Sequence, residues 1–228
     1  MNTDELIDSL ARDTTPVRRL VPLWLSTVTW LVVSGLSGAL LIVLLSPNLD
    51  RLANIRAPRF WLEQLAALTT GIAAAGAALV SIVPGHSRRA WLLPIVPLGA
   101  WMGIALWGCL RDWANAGSAG LVVHADWPCV LAMALGALVP AAALAFMARR
   151  GAPLAPRATA AFAGLAAAGL GSVAGCLSRP TPHGSTITML VWHFGMLLVL
   201  TSAASWAGRY LLRWPMTTVA AVGINARR

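Results

Sequence analysis

Long runs of apolar residues, separated by short polar segments, dominate the chain from residue 22 onward. A helix needs about 20 apolar residues to cross a hydrocarbon core of ~30 Å, and six runs reach that length. The pattern therefore predicts an all-α membrane protein with six transmembrane helices. The predicted spans are Pro22 to Leu45, Trp61 to Val83, Trp91 to Leu110, Pro128 to Ala148, Ala158 to Leu177 and Thr186 to Trp206.

The connections between these runs are short, so the pattern predicts three regions and no second folded domain. They are an N-terminal segment (1–21), a six-helix membrane domain (22–208) and a C-terminal tail (209–228). Asp4, Glu5 and Asp8 make the start of the chain acidic, whereas a secretory signal peptide starts with basic residues. We therefore expect the first span to be retained in the mature protein.

Composition supports a membrane location. The chain is 58% hydrophobic and only 11% charged, against about 25% charged residues in a soluble domain. The net charge of +9 comes from 17 arginines and no lysine, set against eight acidic residues. Such a balance would suggest nucleic-acid binding in a soluble protein. In a six-span chain it reflects topology, and we expect no direct contact with nucleic acid.

The arginines are distributed unevenly between the two sides of the predicted bundle. Twelve of the 17 fall on the side that holds both termini, and five fall on the other side. Basic residues accumulate on the cytoplasmic side of membrane proteins. The sequence therefore predicts that both termini are cytoplasmic.

The predicted spans carry little that indicates catalysis. No Asp, Glu or Arg lies in the middle of a span, and Glu63 lies near the outer boundary. Paired carboxylates, nucleophile elbows, phosphate-binding loops and zinc-protease motifs are all missing from the sequence. The spacing Gly171-x-x-x-Gly175 is typical of close helix packing, which we expect within the chain. We therefore interpret the membrane domain as a scaffold or a sensor, and we do not expect the protein to be an enzyme.

The three cysteines share one depth. Cys109 lies 20 residues from Arg89, Cys129 20 from Arg149, and Cys176 19 from Arg157. At 1.5 Å per residue these spacings correspond to about 30 Å, which places all three thiols near the outer, periplasmic interface. Three of the four histidines fall on the same side, and His193 lies within a span. The candidate metal ligands or sensor residues are Cys109, Cys129, Cys176, His124, His183 and His193.

Two chemistries remain open for this layer. Cys129 and Cys176 end adjacent spans of a hairpin, so in an oxidising periplasm they could form a disulfide. Thiolate and imidazole together also suit a zinc or copper ion at the periplasmic side. No C-x-x-C or H-x-x-x-H spacing decides between the two, so no cofactor is assigned. His193, inside an apolar span, is the strongest single candidate.

The N-terminal segment predicts one short amphipathic helix from Thr3 to Arg12. Asp4 and Glu5 complement the positive start of that helix, and Leu6, Ile7 and Leu10 form an apolar stripe. About ten residues make a marginal helix in water, so docking into a groove of a partner would order it. An acidic helix is less suited to a membrane surface, where amphipathic helices are usually basic. Protein binding is therefore the favoured interpretation.

At this point the sequence resembles a known family. The opening T-D-E-L-I-D-S-L-A-R-D-T-T-P-V-R-R-L (Thr3 to Leu20), followed by six spans, is similar to the NrsF-type membrane anti-sigma factors (negative regulator of sigma F). Further similarities are R-R-G-A-P-L-A-P (Arg149 to Pro156), the Trp127-Pro128-Cys129 start of the fourth span, and Cys176 at the end of the fifth. The chain departs from the family where Gly175-Cys176-Leu177 replaces H-C-P.

The resemblance implies that the protein holds an extracytoplasmic-function sigma factor at the bacterial inner membrane and releases it on an envelope signal. Cys129 and Cys176 would then sense metal or oxidant. Partner-binding residues would include Asp4, Glu5, Leu6, Ile7, Leu10, Arg18 and Arg19. The alternative is a small metal-handling or redox membrane protein without a sigma partner. Membrane lipids surround the protein in either case.

Overall fold

The computed structural model describes residues 3–12, 22–45, 58–83, 85, 88–151, 155–178 and 186–212. All regular structure in these residues is helical, which confirms the predicted fold class. The α-helices are α1 (Thr3–Arg12), α2 (Leu23–Leu45), α3 (Pro58–Val80), α4 (Ile95–Ala116), α5 (Trp127–Arg149), α6 (Pro156–Ser178) and α7 (Thr186–Leu211). Short 3₁₀ segments, Arg88–Leu92 and Gly117–Leu121, flank α4.

Six of the described helices, α2 to α7, are long and apolar enough to cross a membrane, as the sequence predicted. The main difference lies in the third span, which continues past Leu110 to Ala116. Its last turns are polar, containing Arg111 and Asp112, so hydropathy alone ends the span too early. Likewise α7 extends past Trp206 to Leu211 and includes Arg209.

The helix α6 forms the centre of the bundle and packs extensively against α3, α5 and α7. About two thirds of its residues are alanine, glycine or leucine, and most of its residues are buried. Small side chains allow helix backbones to approach closely. A different glycine faces each neighbour: Gly169 faces α3, Gly171 and Gly175 face α5, and Gly164 faces α7.

The glycine pair predicted to mediate close packing therefore acts within the chain, between α5 and α6. A Cβ atom added at Gly171 would lie 2.5 Å from the carbonyl oxygen of Met133 and 3.0 Å from the nitrogen of Ala137. We expect Gly171→Ala to lower the melting temperature, because overpacking a helix interface typically costs ~1–3 kcal/mol. Intrinsic tryptophan fluorescence during heating measures this shift.

The matched control is Gly195→Ala on α7, where an added Cβ would meet no atom within 4 Å. Alanine is favoured over glycine inside a helix by roughly 0.5–1 kcal/mol, so this variant should be at least as stable as the parent. Equal melting temperatures for the two variants would contradict the packing described here.

The two ends of the bundle differ in chemistry. The arginine end holds the N-termini of α2, α4 and α6 and the C-termini of α3, α5 and α7. At this end Ser81 and Thr159 share a hydrogen bond of 2.7 Å that joins α3 to α6. The opposite, cysteine end holds the start of α5 and the end of α6, and Cys109, Cys129 and Cys176 all lie there, buried.

The N-terminal helix α1 stands apart from this bundle. It forms as predicted from Thr3 to Arg12, with Asp4 and Glu5 in its first turn and Arg12 in its last. It makes no extensive contact with the other described elements. Its described side chains are all exposed, and they include Leu6 and Ile7 of the apolar stripe.

Candidate functional site: a buried thiol–imidazole cluster

Cys129 lies in the first turn of α5, where the local sequence determines its position. Asp126 precedes the helix, and its carboxylate accepts a hydrogen bond of 3.2 Å from the backbone N–H of Cys129. Pro128 occupies the first turn, where its missing N–H costs nothing. This capping arrangement anchors the Cys129 thiol at the cysteine end, buried against the neighbouring helices.

Cys176 approaches the same point from α6, and His193 approaches it from α7. The Nε2 atom of His193 lies 3.6 Å from the Cys176 sulfur and 3.8 Å from the Cys129 sulfur. Either thiol can donate to this nitrogen, or a protonated nitrogen can donate to a sulfur, depending on the tautomer. Three helices thus meet at one cluster, which we call the thiol–imidazole cluster (Cys129, Cys176 and His193).

Polar contacts at the start of α7 hold His193 in place. The Asp112 carboxylate at the end of α4 accepts hydrogen bonds from the Thr186 hydroxyl and, at 3.1 Å, from the Thr186 backbone N–H. Because Thr186 begins α7, this pairing fixes the helix that carries His193. A shift of α4 at this end would therefore move the imidazole.

A connecting segment, residues 122–126, is also tied to α7. The Thr188 hydroxyl accepts a hydrogen bond of 3.1 Å from the His124 backbone N–H. The Trp192 indole donates to the His124 carbonyl at 2.9 Å and packs against the Trp127 ring, with centroids 5.3 Å apart. The start of α5 and the start of α7 are therefore linked both by the cluster and by this outer segment.

Two of the remaining candidates from the sequence, His124 and Cys109, do not join the cluster. The His124 side chain is exposed, and only its backbone contacts α7. Cys109 is buried on α4 beside Gly108, against which the Arg59 guanidinium packs. His183 lies outside the described residues. Depth along the helix places Cys109 level with the other two thiols, but it faces a different part of the bundle.

Sequence reasoning missed a second polar feature beside the cluster. Glu63, expected near the outer boundary, is only 7% exposed and pairs with Arg59, whose Nε donates to the Glu63 carboxylate at 3.0 Å. With Gln64 and His193 it lines a narrow crevice whose other lining residues are mostly apolar. The adjacent polar pair Glu63-Gln64, four residues after an arginine in an otherwise apolar run, is the signal that could have revealed it.

The side-chain oxygen of Gln64 is buried in this crevice without a hydrogen-bond partner among the described residues. A buried unpaired acceptor costs about 1–3 kcal/mol, and a bound water is the usual way in which such a group is satisfied. The Gln64 amide also lies beside the Cys176 thiol. The crevice therefore brings polar character directly to one of the two clustered cysteines.

The arrangement of the side chains bears on the choice between a disulfide and a metal site, which the sequence left open. In the part of the chain that the structure describes, no three His, Cys, Asp or Glu side chains are arranged to hold a metal ion. Zinc bound by sulfur and nitrogen takes four ligands in a tetrahedron in structural sites. The cluster as described supplies two thiols and one imidazole, one ligand fewer than a structural zinc site takes.

The predicted partner-binding residues, all in the N-terminal segment, fall into two groups. Asp4, Glu5, Leu6 and Ile7 lie exposed on α1, with Ile7 57% exposed. The side chain of Leu10 and both Arg18 and Arg19 lie outside the described residues. The described part of the apolar stripe, Leu6 and Ile7, is therefore exposed.

Fold and cluster together define an all-helical protein with six helices long and apolar enough to cross a membrane, buried thiols at one end and a separate amphipathic helix at its N-terminus. Residues 10–214 match the family described as negative regulator of sigma F, NrsF, and the chain belongs to that family of anti-sigma factors. It is 31% identical over 230 residues to the anti-sigma-F factor NrsF of Caulobacter vibrioides strain NA1000 / CB15N. That match covers 94% of this chain and all of the relative. No solved structure matches the chain.

Family membership confirms the resemblance drawn from the sequence motifs. Anti-sigma factors are regulators, which are not a class of enzyme. A sigma factor is therefore the partner that the family implies.

Proposed function

We propose that the protein holds an extracytoplasmic-function sigma factor at the bacterial inner membrane and releases it when an envelope signal reaches Cys129 and Cys176. The observation that carries this proposal is the convergence of both cysteines on His193, which joins α5, α6 and α7 at a single point. The relative in Caulobacter is named an anti-sigma-F factor, which supports a sigma factor as the ligand.

The apolar stripe of α1 is the proposed sigma-binding element. Leu6 and Ile7 are exposed in a helix that makes no extensive contact with the other described elements. Amphipathic helices of this kind bind by laying their apolar face into a groove of a partner. The acidic first turn adds charge that favours a basic rim around such a groove, and Arg18 and Arg19 extend the proposed contact.

The bundle offers a route from the cluster to the other side of the membrane. The closest approaches of α6 to α5 and α7 involve glycines, so the backbones of these helices lie close together. A change of covalent or metal-bound state at the cluster would displace the three helices relative to one another. A coupling of only ~1–3 kcal/mol changes affinity by about 5- to 150-fold.

The test of this function is co-purification of the full-length protein with sigma factors of its own cell. Membranes carrying the protein should retain an extracytoplasmic-function sigma factor, and exposure to diamide or a soft metal salt should release it. Retention of no sigma factor would refute the binding role. Retention without release would refute sensing alone.

Topology gives an independent prediction. Because twelve arginines lie on the side of the termini and five on the other, reporter fusions before residue 22 and after residue 212 should both report a cytoplasmic location. A fusion in the 122–126 segment should report the periplasm. A periplasmic C-terminus would contradict both the positive-inside assignment and the proposed separation of sensor and binding element.

A further inference from the structure

Gln64 places an unpaired polar atom inside the cysteine end of the bundle. Its side chain lies on α3 and is only 7% exposed. Its Oε1 atom has no hydrogen-bond partner among the described residues, whereas the neighbouring Glu63 carboxylate is paired with Arg59. Buried polar atoms in folded proteins are nearly always hydrogen-bonded, to protein or to ordered water. The Gln64 oxygen therefore calls for a donor that the described side chains do not supply.

The narrow crevice that Gln64 lines has room for such a donor. Its walls come from α3, α4, α6 and α7, and they include the apolar side chains of Trp101 and Phe194. The space open to the centre of a water molecule is about 10 Å³, and one buried water needs roughly 10–15 Å³ by this measure. The size of the crevice thus matches a single water molecule.

A water in this crevice has further polar partners within the walls. Ser172 and Thr186 both line the crevice. The Ser172 hydroxyl donates to the Met133 sulfur at 3.7 Å, and the Thr186 hydroxyl donates to Asp112. Because each hydroxyl oxygen keeps lone pairs when its hydrogen is donated, both can still accept. Together with Gln64 they supply acceptors for the two hydrogens of one water.

The crevice is connected to the thiol–imidazole cluster in two ways. His193 forms part of the crevice wall, and its Nε2 atom contacts both sulfur atoms. The Gln64 amide lies beside the Cys176 thiol. The two thiols themselves are buried, with Cys176 5% exposed and Cys129 9% exposed, whereas the crevice is partly open.

We propose that the crevice binds one ordered water, held by the Gln64 Oε1 atom, and that solvent enters the thiol–imidazole cluster at this point. Gln64 is then a positioning residue, which keeps an otherwise apolar passage wet. One consequence rests on the proposed function: a small soluble signal would reach Cys176 by displacing this water.

Hydroxyl-radical footprinting of the full-length protein tests for the bound water. An X-ray pulse generates radicals from water in place, and these oxidise the nearest side chains. Met189 lines the crevice, and Met147, at the arginine end, serves as the internal reference. In Q64L an apolar side chain replaces the acceptor, and apolar cavities stay dry. Oxidation of Met189 relative to Met147 should fall about tenfold, as expected when a buried group loses its hydrogen bond.

Thiol exchange in heavy water tests for solvent entry. In C109S/C129S the Cys176 thiol is the only one in the chain, and its infrared S–H stretching band disappears as deuterium replaces hydrogen. Adding Q64L to this background should slow the loss of the band by about tenfold, because the same hydrogen bond to water is lost.

Three further variants control both measurements. T69V changes a hydroxyl on the exposed side of α3, where it bonds only within its own helix, and should behave as the parent. Q64E keeps an acceptor oxygen but loses the amide N–H groups, and should also retain the water. Q64M, which lacks the acceptor on a flexible side chain, should repeat the Q64L result and replaces it if Q64L does not fold.

Parent-like Met189 oxidation and thiol exchange in the variants that lack the acceptor would overturn the proposal. So would a Q64E variant that matches Q64L, because Gln64 would then act through its amide N–H groups and not through a bound water. Neither measurement involves a sigma factor. Failure to retain a sigma factor would therefore refute the proposed function without changing either result.

Discussion

Changing Leu6, Ile7 and Leu10 to serine should abolish retention of the sigma factor while leaving the protein inserted in the membrane. The first two side chains are exposed on α1, outside the packed bundle, so their removal takes nothing from the fold. Truncating one buried anchor of a helix-in-groove complex costs about 2 kcal/mol or more. We expect at least a 30-fold loss of affinity, measured by pull-down of the sigma factor on purified membranes.

The control for this variant lies on the opposite face of the same helix. Asp8→Asn with Arg12→Gln changes two exposed polar residues and leaves the net charge as it was. That variant should retain the sigma factor nearly as well as the parent. If the triple serine variant also retains the sigma factor, α1 is not the sigma-binding element. The arginine-bearing loops on the side of the termini then become the candidates.

Hydropathy was sufficient for the fold because the bilayer imposes a length on each span and forbids unpaired backbone. The same rule placed Cys109, Cys129 and Cys176 at one depth, since rise per residue converts sequence spacing directly into height. Height alone did not say which of these side chains meet. That depends on how each helix is rotated about its axis.

Rotation is poorly encoded in this sequence. Helices such as α5 and α6 are apolar on all sides, so no polar face indicates which side points inward. Cys109 shares the depth of the cluster but sits on α4 beside Gly108 and the Arg59 guanidinium. The buried position of Glu63 was not predicted, for the same reason. A residue near the end of a predicted span is expected to face solvent until the neighbouring helices are placed around it.

The outer segment adds a constraint on how the cluster can respond. Residues 122–126 tie the start of α5 to the start of α7 through Thr188 and Trp192. A displacement of α5 would therefore be transmitted to α7 by two connections, the cluster itself and this segment. Cys176 places α6 at the same cluster, and α6 also contacts α3 through Gly169. The central helix is thus the element best placed to carry a change across the bundle.

Serine at both Cys129 and Cys176 should abolish the response to an envelope signal, whereas Cys109→Ser should leave it intact. The two clustered thiols share one imidazole neighbour, and serine removes their redox and soft-metal chemistry at nearly constant size. Sigma-dependent reporter activity, with and without diamide or a soft metal salt, measures the response. The lost induction should fall within about 5- to 150-fold, the range of a ~1–3 kcal/mol coupling.

The chemical state of the Cys129 and Cys176 thiols distinguishes an oxidant signal from a metal signal. Alkylation before and after treatment counts the free cysteines: an oxidant that forms a disulfide removes two, which requires the Cα atoms of Cys129 and Cys176 to come within ~7 Å. A bound metal protects the thiols only until a chelator is added. His193→Asn should weaken metal protection far more than disulfide formation, since only the metal needs the imidazole as a ligand. A double serine variant that still responds normally to both treatments would refute thiol sensing, while the anti-sigma assignment would stand because it rests on the family match over residues 10–214.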